Sequence, residues 1–198
     1  MESAEYKKQY DEYLARAEKA LSQACERYLP EGSDVCRAAR YSLLGGGKRI
    51  RAVLVLAVCD MLHGNAEAAE QFAAAVEMLH CYSLIHDDLP CMDNDDLRRG
   101  RPTNHKVYGE CVATLAGDAL QAAAFQTVLS AEGPWQEKGS FAPAVAAKIL
   151  AEAAGEQGMC GGQYFDTIGD GKVLHTAEEL TVINNKKTGA LLRAACMM

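Results

Sequence analysis

Apolar residues recur along this chain at intervals of three and four, the spacing of amphipathic helices. From Glu5 to Tyr28, the positions Tyr6, Tyr10, Tyr13, Leu14, Ala17, Leu21 and Ala24 share one stripe, and Pro30 and Gly32 close the segment. A second helix is expected from Ser33 and Asp34 to Leu44, where Gly45-Gly46-Gly47 interrupts it. A third runs from about Lys48 to Leu62 and stops at His63-Gly64-Asn65. The fourth extends from Glu67 to Asp87 or Asp88, just ahead of Pro90, which disfavours a helical residue before it. Residues 89–103 are polar, carry Pro90, Gly100 and Pro102, and read as a loop. Further helices are expected from Cys111 to Ser130, entered through Gly109, and from Pro143 to about Met159. A turn at Gly133-Pro134 separates them, and Gly158, Gly161 and Gly162 loosen the chain after the second. The last helix opens with Thr176 and Glu179 at capping-box spacing and is still helical in pattern at Met198. An apolar helix that stops without glycine, proline or a polar tail has more to pack against, so the chain reads as C-terminally truncated. With no strand-like alternation, repeat or linker, the expectation is one all-helical domain over 1–198.

Composition narrows this further. Abundant alanine favours helix, and 198 residues suffice to bury a sizeable core. The net charge of −7 argues against general nucleic-acid binding, so no nucleic-acid partner is expected. No apolar run reaches the roughly 18 residues of a membrane span, and the N-terminus lacks a signal peptide's apolar core. The eight cysteines are scattered singly, without a C-x-x-C pair, and read as reduced thiols of a cytoplasmic protein.

The chemistry lies in three clusters. Asp87, Asp88, Asp93, Asp95 and Asp96 place five carboxylates within ten residues, where they repel one another unless cations neutralise them. Asp87 and Asp88 also end a helix, where the dipole disfavours negative charge by roughly 0.3–1 kcal/mol. Such a loop suits a hard cation such as Mg²⁺, which prefers carboxylate and phosphate oxygens. Arg98, Arg99 and Arg101 follow at once, and guanidinium groups suit phosphate. The glycine of an EF-hand is missing, because its sixth position is Arg98. The second cluster, Gly45-Gly46-Gly47-Lys48-Arg49-Ile50-Arg51, joins flexible backbone and three cations to a helix N-terminus, an anion site in outline. It lacks the first glycine and the Ser/Thr of a Walker A loop. The third, Lys186-Lys187-Thr188-Gly189, has the Lys-Thr-Gly of penicillin-recognising enzymes, but no Ser-x-x-Lys accompanies it. On a helix Asn184, Lys187, Thr188 and Leu191 share a face. His80 stands seven residues before Asp87, on the same stripe, and Gln163 with Asp166 follows Gly161-Gly162. Acid and base side by side point to a diphosphate that arrives with its metal.

Together these segments resemble the trans-type isoprenyl diphosphate synthases, and closely the bacterial farnesyl diphosphate (geranyltranstransferase) type. The resemblance is carried by Gly-Gly-Lys48-Arg49-x-Arg51, His80, the run from Tyr82 through Asp87-Asp88 and Asp93 to Arg98-Arg99-Gly, Gly162-Gln163-x-x-Asp166 and Lys187-Thr188-Gly189, in family order. It implies an all-α antiparallel bundle around a central cavity, in a homodimer. It implies that Asp87 and Asp93, supported by Asp88, hold Mg²⁺ (or Mn²⁺) on an allylic diphosphate gripped by Arg98. Gly47, Lys48, Arg49, Arg51, His80 and Arg99 would bind isopentenyl diphosphate. Lys187, Thr188 and Gln163 would stabilise the departing diphosphate and the allylic cation. The implied reaction is condensation of isopentenyl diphosphate with dimethylallyl or geranyl diphosphate. Tyr82 and Ser83, just before the acidic motif, would set product length at farnesyl, with geranylgeranyl the alternative. The family's second aspartate-rich motif is absent after Asp166-Thr-Ile-Gly-Asp170. That leaves a non-catalytic partner subunit or inactive fragment as an alternative; a terpene cyclase would have no use for the Lys48–Arg51 cluster.

Overall fold

The computed structural model describes residues 3–133, 135, 141–167 and 176–198. Pro134 of the expected turn and Asp170 lie outside them. The described residues are all-α apart from one small hairpin. The helices are α1 (Ser3–Tyr28), α2 (Asp34–Leu43), α3 (Ile50–Met61), α4 (Ala66–Asp87), α5 (Asn104–Tyr108), α6 (Glu110–Leu129), α7 (Ala142–Ala154), α8 (Met159–Thr167), α9 (Ala177–Asn184) and α10 (Ala190–Met197). A π-helical turn, Asn185–Gly189, joins the last two.

Local chemistry sets most of these boundaries. The Ser33 hydroxyl accepts from the Cys36 amide at 3.1 Å and starts α2. The Asn65 side chain accepts from the Ala68 amide at 2.8 Å and starts α4. Thr176 and Glu179 close the expected capping box, at 3.2 and 2.8 Å.

Helix α4 is the axis of the bundle. It is buried nearly all round, from Ala68 through Phe72, Val76 and Leu79 to Ile85 and Asp87. Helices α1, α3 and α6 pack directly on it. Fully buried alanines on α4 and α6, Ala73, Ala75, Ala113, Ala116 and Ala124, let the backbones approach, and Leu21, Leu43, Leu56, Leu79 and Leu120 fill the layers between. No helix among the described residues is long and apolar enough to cross a membrane.

Three features depart from the expected pattern. Residues 89–103 are not all loop: β1 (Leu97–Arg98) pairs antiparallel with β2 (Arg101–Pro102). The two turn residues, Arg99 and Gly100, have φ of 56° and 76°, the pair of positive values a tight hairpin of the primed type needs. Helix α5 follows at once. The C-terminal helix is not continuous either, because the π-turn at Asn185–Gly189 shifts the register between α9 and α10.

Candidate active site

The acidic motif is built where α4 runs out. The Asp93 amide donates to the carbonyl of Asp87 at 2.9 Å, and the Met92 and Asn94 amides donate to Leu89 O at 2.9 and 3.1 Å. The chain therefore doubles back over the helix end and returns the Asp93 carboxylate to the neighbourhood of Asp87. Asp87 and Asp88 are buried, whereas Asp93 is exposed at the rim. Burial pushes the Asp87 carboxyl up to about 6; Lys187 opposes that rise, and the Asp93 charge adds to it. Asp88 is also raised by burial, against the Arg98 hydrogen bond. Arg98 donates Nε to Asp88 at 3.0 Å, and its Nη2 contacts both Asp88 and Asp95, the latter at 3.2 Å.

The opposite wall comes from α8 and the π-turn. Lys187 Nζ sits 2.5 Å from Asp166 Oδ2 and 3.8 Å from Asp87 Oδ2. Burial lowers the Lys187 pKa, but the Asp166 hydrogen bond and the Asp87 charge outweigh it, so the ammonium is held above its ordinary value. The close approach depends on Gly162: a Cβ there would lie 2.7 Å from Lys187 Cα and closer still to its amide nitrogen. Only a glycine lets α8 lie flat against the π-turn.

A cavity of about 410 Å³ opens between these walls. Asp87, Gln163, Lys187 and Thr188 line its polar end; Tyr82, Ser83, Leu84, Met92 and Met159 line much of the rest. Tyr82 stands edge-on to His86, 5.6 Å between centroids, and burial pushes its phenol up to about 12. The Ser83 hydroxyl turns back to His80 O at 2.9 Å.

A second groove, of about 490 Å³, lies beside the first and shares Arg51 and His80 with it. Gly47, Lys48 and Arg99 complete its basic side, with the inward-turned Arg49 beneath them. Gly47 has φ +142°, and the Arg99 guanidinium lies against it, donating to Gly46 O. Arg51 is the informative residue: its Nε is buried with no hydrogen-bond partner. Burial lowers its pKa, with only Glu77 opposing. His80 is pushed down to about 3, first by burial and then by Arg51 and Arg99, so it is neutral at physiological pH. A buried cation with an unmet donor beside a neutral imidazole has the donors an anion would use.

The structure thus brings Asp87, Gln163, Lys187 and Thr188 to one cavity and Gly47, Lys48, Arg51, His80 and Arg99 to its neighbour, while Asp93 is exposed outside the cavity lining and Asp88 and Arg98 line a separate small hollow. Arg49 stands apart from the expected anion-binding set. Its side chain is 2% exposed and turned inward, with Nε 2.7 Å from Glu18 Oε1 and Nη2 2.6 Å from Leu43 O. Glu77, from which the basic groove takes part of its floor, was not among the expected residues, because one glutamate inside an apolar helix has no motif around it.

Among the described residues no group of three or more His, Cys, Asp or Glu converges as a ready metal cage. Mg²⁺ is commonly held by one or two carboxylates, its waters and substrate phosphates. Burial is the first cause of the raised Asp87 carboxyl, with Lys187 and Arg98 opposing it and Asp93 and Asp88 adding to it, and a cation on the carboxylate would offset that desolvation.

Comparison with known proteins points to one family. The Polyprenyl synthetase family model matches residues 33–198. A chloroplastic geranylgeranyl pyrophosphate synthase of Capsicum annuum is 46% identical over 91% of this chain and 47% of its own length. A farnesyl diphosphate synthase of Geobacillus stearothermophilus is 44% identical over 92% of the chain and 62% of its own. Among solved structures, a geranyltransferase from Legionella pneumophila superposes with a TM-score of 0.88 at 38% identity, covering 96% of this chain and 66% of that one. The chain spans about half to three-fifths of the length of the curated relatives it matches.

Proposed function

We propose, because this chain belongs to the polyprenyl synthetase family, that it forms the substrate-binding core of a prenyltransferase that joins isopentenyl diphosphate to an allylic diphosphate. The observation that carries this reading is the pair of adjoining cavities, one acidic and apolar, one basic, with Arg51 and His80 as their common wall. Two diphosphates bound in these cavities would lie side by side with their hydrocarbon parts meeting between Arg51 and Asp87.

In this reading Asp87 and Asp93, backed by Asp88, would hold Mg²⁺, which neutralises charge growing on a departing diphosphate. Arg98, anchored on Asp88, Lys187, Thr188 and Gln163 surround that diphosphate and stabilise it as the allylic C–O bond breaks. Tyr82, Leu84, Met92 and Met159 exclude water that would trap the carbocation. Lys48, Arg51 and Arg99 hold the second diphosphate, and neutral His80 donates a hydrogen bond without adding charge. The isopentenyl double bond then attacks the cation, and the carbon next to the new tertiary cation loses a proton to the released diphosphate as the product double bond forms. No side-chain nucleophile is needed.

For product length we favour farnesyl diphosphate, on the position of Tyr82 one helical turn and more below Asp87. The relatives include farnesyl and geranylgeranyl synthases alike. For assembly the reading is a homodimer. The reading places the protein in a reducing compartment such as the cytoplasm, on eight cysteines scattered singly along the sequence. The test is condensation of geranyl diphosphate with labelled isopentenyl diphosphate in Mg²⁺, followed by chain-length analysis. A C15 product lost in Asp87→Ala supports the reading; incorporation unaffected by Asp87→Ala refutes it.

A further inference from the structure

The N-terminus of α3 carries the basic arm of the second groove, yet it has no cap of its own. Its N-cap residue is Arg49, which has φ 48° and ψ 37° and makes no side-chain cap bond. A left-handed arginine is strained, and such residues persist where the surroundings over-determine them. Here the surroundings are Glu18, Leu43 and Glu77. The Glu77 carboxylate, 2% exposed on α4, accepts from the Ala52 amide at 3.2 Å. Ala52 is the third residue of α3, the position whose amide an N-cap side chain would normally satisfy. The same carboxylate lies 3.7 Å from Arg49 Nη1, and its charge is the one that opposes the burial of Arg51.

We infer that Glu77 is a positioning residue for diphosphate binding: it caps α3 from the neighbouring helix and, with Arg49, fixes the direction of Lys48 and Arg51. The inference rests on the proposed function of the basic groove. The inward turn of Arg49 leaves Lys48 and Arg51, on either side of it in sequence, facing the groove. Glu77 also stands three residues before His80 on α4, so one helix face sets both the arginine and the imidazole. The Tyr10 hydroxyl donates to Lys48 O and steadies the same loop from α1.

Electrostatics alone predicts the opposite effect, which makes the inference decidable. Removing a negative charge beside an anion groove should tighten binding. Loss of positioning should weaken it, because an arginine displaced by about 1 Å forfeits its bidentate geometry. The experiment is calorimetric titration of isopentenyl diphosphate, without metal, into the wild-type chain and the Glu77→Gln and Glu77→Ala variants. Titration of geranyl diphosphate with Mg²⁺ and a thermal melt accompany each. Gln retains an acceptor for the Ala52 amide but not the charge for Arg49, so the expected losses are about threefold for Glu77→Gln and tenfold or more for Glu77→Ala. Geranyl diphosphate binding should stay within about twofold. Unchanged or tighter isopentenyl diphosphate binding overturns the inference, as does an equal loss at both sites that follows the fall in melting temperature. If the wild-type chain takes geranyl diphosphate but no isopentenyl diphosphate, the assignment of the groove itself falls, and the inference with it.

Discussion

Asp87→Asn should make the protein more stable at neutral pH while removing its metal-dependent binding. Burial raises the Asp87 carboxyl from 3.8 to about 6. At ~1.36 kcal/mol per tenfold change in proton affinity, that corresponds to an upper limit of about 3 kcal/mol. Water at the cavity rim screens the group, so roughly 1–2 kcal/mol is the expected effect. The sign follows from linkage: a carboxyl whose folded pKa lies above its unfolded one destabilises the fold as pH rises from about 4 through 6. Asparagine keeps the shape without the charge, and Lys187 keeps its contact with Asp166 at 2.5 Å. Urea unfolding of both proteins in EDTA at pH 8, 6 and 4 measures the effect. The variant should be more stable by roughly 1–2 kcal/mol at pH 8, with the advantage fading by pH 4. A variant less stable at pH 8 would refute the reasoning, because the Asp87–Lys187 pair would then outweigh the desolvation of the carboxylate.

Two further substitutions test the walls of the first cavity. Gly162→Ala puts a methyl 2.7 Å from Lys187 Cα, so α8 and the π-turn must separate; a loss of about 1–3 kcal/mol in stability and roughly a hundredfold in allylic diphosphate turnover is expected. Wild-type melting and kinetics in this variant would show that the glycine is incidental. Tyr82→Ala removes the largest side chain below Asp87 and should move products from C15 toward C20 and beyond in a chain-length assay. An unchanged product distribution would place the stop elsewhere.

Helix positions were legible in the sequence because amphipathic spacing, Ser33, Asn65 and the Thr176–Glu179 pair are local signals. What was not legible was set by distant partners. Arg49 follows three glycines, and its backbone bends left-handed because Glu18 and Leu43 capture its guanidinium from elsewhere in the chain. The π-turn at Asn185–Gly189 comes with the backbone contact that Gly162 permits, and helical periodicity cannot report it. The hairpin at 97–102 is two residues per strand, too short for alternation to register. Among the candidate site residues, those in dense motifs (Asp87, Asp88, Asp93, Lys48, Arg51 and Lys187) stand out in the sequence. Glu77 was not, since its partners Arg49 and Ala52 are far from it in sequence and meet it only through the packing of α3 on α4.

The central claim is that one cavity takes a diphosphate with metal and its neighbour takes a diphosphate without. The direct measurement is calorimetric titration of geranyl and isopentenyl diphosphate into this chain, each with Mg²⁺ and each with EDTA. Geranyl diphosphate should bind with Mg²⁺ and lose at least tenfold in EDTA, while isopentenyl diphosphate should bind alike in both. Equal metal dependence for the two ligands, or binding of neither, would contradict the account.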